Sequence, residues 1–423
     1  MRFSLPCAYS IIRYKYTMTP LHTVLSQKEI FRSRLGPDYV GFDHITWYVG
    51  NAKQAATYYV TRFGFKEIAY KGLETGSKAI SARVVTNGAA TFVFISPVRG
   101  HLELDGGQET ALDACEAMLL HSLHQYLAKH GDGVKDIAFR IRADVTTIWN
   151  KAVARGAGRV RTPKRVRTED GEIETATIGA YGDITHTFVY RDKYGGAFMP
   201  GYVPVKHEDP INDCLPRVDL VEIDHCVGNQ PWDGVDKVVK FYENCLGFHR
   251  HWTVDDASAC SDYSAMRSIV VASGNEVIKM PINEPARGQA KSQVEEFVDF
   301  HHGPGVQHIA FLTHDIVTAV THLRLRGVEF LHVPGTYYAD LRTRLKECGM
   351  QLYESVDDLE RLNILVDFDE EGYLLQIFAK HVVDRPTVFV EVIQRNGFDG
   401  FGAGNFRALF QAYEREQALR RNL

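Results

Sequence analysis

GDGVKDIAF (131–139) and GPGVQHIAF (303–311) are two copies of one pattern, and the fold follows from that repetition. Each copy follows a histidine, His130 and His302. Each runs into a helical pattern, ADVTTIWNKAVARGA (143–157) and HDIVTAVTHLRLRGV (314–328). A second pair, FDHITWYVGN (42–51) and IDHCVGNQPW (223–232), leads into helices ending at glycine, in YYVTRFGF (58–65) and FYENCLGF (241–248). Glycine is the usual C-terminal helix stop. Internal repeats of this kind mark repeated structural units. The chain therefore reads as two tandem domains, 39–205 and 217–400. The linker at 206–216 falls within the proline-rich VPVKHEDPINDCLPR (203–217).

Within each domain the pattern holds two units, each a strand, a helix and further strands. Side chains alternate along a strand. Phe389, Glu391 and Ile393 therefore share a face of TVFVEVIQ (387–394), and Leu374, Gln376 and Phe378 a face of LLQIF (374–378). A βαβββ unit cannot bury its own sheet. Two such units side by side make a curved sheet that wraps a cavity with helices outside, an α+β open barrel. Residues 401–423 begin glycine-rich and continue as an amphipathic helix, with Phe406, Leu409, Phe410 and Tyr413 at helical spacing. Such a tail covers either the cavity mouth or a partner subunit.

Composition excludes several classes. A net charge of −5 argues against a nucleic-acid binder, and no apolar run is long enough to span a membrane. The seven cysteines are scattered and form no CxxC, which points to free thiols in a reducing compartment, the cytoplasm. Residues 1–38 read as a disordered leader. They are Arg- and Lys-rich with no acid before Glu29, so mitochondrial targeting is the alternative, although no convincing amphipathic helix is present and Met18 offers another start.

The two halves differ in chemistry. His225 lies on VEIDHCV, His308 on GVQHIAF and Glu391 on the last strand, with 83 residues from each to the next. In the first half His44 matches His225, Asp136 replaces His308, and GGAFMPGY (195–202) is expected to match the Glu391 strand without a carboxylate. Two histidines and a carboxylate occupy one face of an octahedron and leave three positions open, as in non-haem iron(II) oxygenases. A structural zinc site would be thiolate-rich and closed. A lone strand histidine is more often a hydrogen-bonded core residue. Glu391 is different, because a carboxylate on an apolar strand needs a cation; its competing partner would be Arg395 or a buried lysine.

PINEP (281–285), KSQ (291–293), GVQHIAF, LLQIF, FVEVIQR (389–395) and GFGAGNFRALF (400–410), with FDHITWYVGNAKQAATYYVTRFGF (42–65), together resemble the 4-hydroxyphenylpyruvate dioxygenase family over residues 40–415. The resemblance implies a vicinal-oxygen-chelate fold, one Fe(II) per chain on His225, His308 and Glu391, and homodimers or homotetramers. It implies conversion of 4-hydroxyphenylpyruvate and O2 to homogentisate and CO2 in tyrosine catabolism. It maps the substrate pocket to Ser268, Asn283, Gln293, Gln307, Gln376, Phe378, Phe389, Phe406 and Phe410. Phe378 and Phe389 would clamp the ring by offset stacking, and the tail helix would act as a lid. Alternation turns Gln307 away from His308 unless the strand is irregular there. Phe406 and Phe410, at i and i+4, also suit plain core packing. Three alternatives stand beside this reading: a hydroxymandelate synthase acting on the same substrate, a non-catalytic small-molecule-binding protein of the same fold, and a ring-cleaving extradiol dioxygenase. The PINEP and GNFRALF motifs speak against the last.

Overall fold

The computed structural model describes residues 39–100, 112, 114–142, 144–254, 265–288 and 291–420. The expected leader at 1–38 lies outside them.

The repeat becomes two curled sheets. In the second half the central pair is Glu222–Asn229 antiparallel to Gly305–Leu312. Outside the first lie Lys279–Ala286, Ala265–Ala272 and His249–Val254. Outside the second lie Phe389–Asn396, Tyr373–Phe378 and Leu365–Phe368. Each central strand pairs in parallel with its outer neighbour, Lys279–Ala286 or Phe389–Asn396. Parallel neighbours need a crossover, here the helices Val235–Phe241 on one side and Ile316–Leu325 on the other. The first half repeats the arrangement around Tyr39–Tyr48 and Gly133–Ile141. Its helix Ala52–Phe63 ends at Gly64 (φ 67°), and the equivalent helix of the second half ends through a wide turn at Gly247 (φ 70°). Both are left-handed positions, which glycine adopts without strain.

Both central pairs carry β-bulges at matching places. In the second half the extra residues are Asp224, between Ile223 and His225, and Gln307, between Val306 and His308. In the first half they are Asp43 and Lys135. A bulge leaves one residue unpaired and re-aims its side chain.

One apolar core runs through both halves. Phe311, on the face of its strand opposite His308, packs on Phe65 (5.7 Å) and Phe92 (5.5 Å) of the first half. Burying a side chain of this size stabilises by about 1.5–3 kcal/mol. Polar bonds cross the same seam. Arg326 donates to the carbonyls of Val60, Thr61 and Pro216, and His186 Nε2 meets the Tyr242 hydroxyl at 2.9 Å. The concave face of the second sheet is left free to wrap a cavity, which the tail helix Phe406–Leu419 covers.

Candidate metal centre

His225 and His308 sit on the two central strands, and Glu391 enters from the neighbouring strand, paired with Ala310. All three side chains are buried. Glu391 Oε2 lies 3.2 Å from His225 Nε2 and 3.3 Å from His308 Nε2. Both imidazoles thus aim the same nitrogen at one point. Their other nitrogens are occupied: His225 Nδ1 donates to Asp224 (2.6 Å) and His308 Nδ1 to the Gln307 side-chain oxygen (3.0 Å). An acceptor on Nδ1 fixes the tautomer and turns the Nε2 lone pair inward, as around bound metals. The bulges explain how a ligand and its orienting acceptor can be chain neighbours on one side of a strand.

The electrostatics favour a cation at this point. Burial alone would raise the Glu391 pKa, but the hydrogen bonds with His225 and His308 outweigh it and hold the carboxylate below its usual range. Burial opposes charge on His225 too, yet Asp224 and Glu391 hold its pKa up. Burial holds that of His308 down. A buried carboxylate facing two imidazoles is stabilised by a shared positive charge, which a dication on this N,N,O donor set would supply. Arg395, the competing partner foreseen for Glu391, instead forms a two-pronged pair with Asp224.

The group opens into a cavity beneath the tail helix. Ser268, Asn283, Gln293, Gln307, Gln376, Phe378, Phe389 and Phe406 all line it. Gln307 does so because of its bulge, where simple alternation would send it outward. Two expectations need correction. Phe410 stands behind the wall, packed with Met266, Val294 and Phe406, because one helical turn separates it from the surface that Phe406 presents. Phe378 and Phe389 meet edge to face (6.1 Å, 75°), so they form a corner and not the parallel walls of a clamp. The Phe389 ring stacks on His308 (4.7 Å, 23°). Val227, Trp252, Met266, Pro281, Phe401 and Leu409 also line it and were not foreseen. Phe401 touches the His225 ring edge-on at 5.2 Å and sits beneath the Arg395 guanidinium.

The first half retains the frame without the ligands. Asp43 accepts from His44 (2.7 Å) and pairs with Arg191 (2.9 Å), as Asp224 does with His225 and Arg395. Asp136 takes the place of His308. The partner of Glu391 is Thr187 on strand Thr185–Tyr194, because Ala138 pairs with Thr187 as Ala310 pairs with Glu391. The expected match, GGAFMPGY, is not that strand; its Phe198 instead abuts His44 (5.0 Å), as Phe401 abuts His225. Asp136 accepts from the Thr185 and Thr187 hydroxyls, and burial raises its pKa. Among the described residues no metal-ligating cluster forms in the first half.

This fold is that of a vicinal-oxygen-chelate protein, and its two histidines and carboxylate on one curled sheet could hold a metal ion. The profile of the Glyoxalase/Bleomycin resistance protein/Dioxygenase superfamily matches residues 222–377. The chain is 62% identical to "Probable 4-hydroxyphenylpyruvate dioxygenase 2" of Aspergillus fumigatus, over 94% of this chain and 98% of that one. It is 50% identical to "4-hydroxyphenylpyruvate dioxygenase" of Yarrowia lipolytica, over 96% and 98%. A solved mutant of 4-hydroxymandelate synthase from Streptomyces coelicolor superposes with a TM-score of 0.72 at 30% identity, covering 90% of this chain and 99% of that one. The chain belongs to the 4-hydroxyphenylpyruvate dioxygenase family.

Proposed function

We propose that the chain is an Fe(II)-dependent dioxygenase that converts 4-hydroxyphenylpyruvate and O2 to homogentisate and CO2, with one iron held by His225, His308 and Glu391. The observation that carries the reading is the convergence of three buried donors, each imidazole with an acceptor on Nδ1, in an aromatic-lined cavity. When bound, the metal would template the 2-oxo acid and O2 together and polarise the keto acid. The protein's part is orientation and exclusion of water. Asp224 and Gln307 keep the Nδ1 protons of the two histidines in place. The Asn283 and Gln376 side-chain oxygens are buried with no hydrogen-bond partner. An unpaired buried acceptor is costly, and a phenol hydroxyl would satisfy it. Phe378, Phe389, Phe401, Phe406 and Leu409 keep water from the reacting centre.

The family relatives' names, at 50–62% identity over nearly the full chain, support this substrate. We extend the reading to a homodimer or homotetramer in the cytoplasm, consistent with the free thiols of Cys115, Cys214, Cys226, Cys245 and Cys348. The domain limits 39–205 and 217–400 belong to the same proposal. No described helix is long and apolar enough to cross a membrane.

The structural neighbour keeps a second reading open, side-chain hydroxylation to 4-hydroxymandelate. Purified protein supplied with Fe(II), ascorbate and 4-hydroxyphenylpyruvate decides between them by O2 uptake and product identification. Homogentisate is expected. Hydroxymandelate would establish the second reading, and iron binding without turnover would leave a binding protein.

A further inference from the structure

A second group of metal-ligating side chains lies outside the catalytic cavity. His249 and His251 are on the outer strand His249–Val254, and Glu276 is on the turn between the next two strands. His249 Nε2 is 3.4 Å and His251 Nδ1 3.9 Å from Glu276 Oε1, and the donor atoms all lie within 4.8 Å of one another. Two ligands on a tetrahedral zinc, each at about 2.0–2.1 Å, stand about 3.3 Å apart. The two distances to Glu276 Oε1, 3.4 and 3.9 Å, stand close to that.

The backbone holds the donors in place. His251 is the extra residue of a β-bulge, between Arg250 (paired with Val271) and Trp252 (paired with Val270). The two imidazole centroids stand 6.2 Å apart. Glu276 has φ 62°, a left-handed conformation that side-chain-bearing residues seldom adopt. Its turn is fixed by bonds from Glu276 N–H to the Ser273 carbonyl (2.8 Å), from Ile278 N–H to Ser273 Oγ (3.1 Å), and from Asn275 Nδ2 to the Tyr39 carbonyl (2.7 Å). Burial keeps the His251 imidazole neutral, its lone pair available, and the Asp399 carboxylate adds negative charge nearby. Among the described residues, Lys279 and His249 supply the opposing charges on His251. Glu276 is 44% exposed, so water can fill the remaining coordination positions.

We propose that His249, His251 and Glu276 form a second divalent transition-metal site, of the zinc class, separate from the catalytic triad. Imidazole and carboxylate donors without thiolate suit zinc, and geometry with availability decides among such metals. The site abuts the cavity wall, since the His251 ring lies 6.1 Å from Phe401.

The test is zinc(II) titration of untagged, metal-depleted full-length protein, followed by calorimetry and by metal content after gel filtration. Two equivalents per chain are expected. Glu276→Gln and His249→Ala/His251→Ala should each bind one, with unchanged circular dichroism. His308→Ala should lose the other equivalent and keep this one, so failure of the catalytic assignment reads out separately. One equivalent in the wild type, or two retained in both Glu276→Gln and the double variant, overturns the proposal. Glu276→Gln sits on an exposed turn and keeps the test valid should the double variant misfold.

Discussion

Arg395 grips Asp224 with two hydrogen bonds, 2.7 Å from Nε and 2.9 Å from Nη2. Although burial works against it, that pairing and the bond from His225 hold the Asp224 carboxylate far below its usual range. The same guanidinium donates to the carbonyls of Phe398 and Gly400 and covers the Phe401 ring. One side chain therefore ties a ligand's orienting group to the segment leading into the tail helix. Asp224→Asn should lower metal affinity by about 10–100-fold, the usual effect of losing such a partner. The matching first-half change, Asp43→Asn, should leave metal affinity untouched. Competition titration with a metal indicator measures both, and equal losses would show that the pair acts only through folding.

His308→Ala and Glu391→Ala should each lose iron and turnover while keeping the fold, because each removes a third of the donor set. Asp136→Ala should retain full iron content, since its hydrogen bonds run to Thr185 and Thr187 alone. Metal analysis of the three variants after gel filtration checks the contrast. Normal iron and turnover in either of the first two would refute the ligand assignment.

Gly402 has φ 75°, and a Cβ there would come 2.2 Å from Gln376 Oε1. Gly402→Ala should displace either the start of the tail or the Gln376 amide. Turnover should drop and the tail helix should become easier to cleave by limited proteolysis, with little change in global stability. An unchanged cleavage rate with unchanged turnover would mean that the tail tolerates the shift.

Two histidines at the seam between the halves should make the protein acid-sensitive. Burial lowers the His186 pKa to about 4. Burial, with the charge of His130, lowers that of His301 to about 3. Both titrate near 6.5 when unfolded. As pH falls below that value the unfolded chain takes up protons that the native state refuses. Stability is thus complete above pH about 6.5 and declines toward pH 4, by up to about 1.4 kcal/mol per pH unit for each site. Urea midpoints across that range should show the slope, and His186→Phe should flatten it. An unchanged slope in that variant would assign the sensitivity elsewhere.

The convergence of the three candidate donors, and the barrel, are legible in the sequence because a repeat carries its own control: His225 and His308 stand where a near-copy has His44 and Asp136. The strand faces of Gln376, Phe378 and Glu391 follow from alternation, and the tail helix from its spacing. Alternation fails where the chain slips. Asp224 and Gln307 reach the inner side only through bulges, which no residue type announces at those positions. The match of Glu391 with Thr187 was missed because Thr187 resembles neither a carboxylate nor its setting. Phe401 stands alone in a glycine-rich stretch with no periodicity to read. Trp252 and Met266 join the cavity wall only when the outer strands curl round. Phe410 shows the converse, since helical spacing groups it with Phe406 while a single turn decides which ring meets the cavity.

The paired bulges also fix what a change of length at this centre would do. Ile223 and Phe311 face each other on the core side and Val227 and His308 on the cavity side, so the two strands keep step across each extra residue. Removing Asp224 or Gln307 would let the strand close into regular pairing with His225 and His308 still facing the cavity, but the imidazole beside the deletion would lose the acceptor on its Nδ1. The inserted residue is thus the device that sets two inward side chains in succession, a candidate donor and the group that orients it.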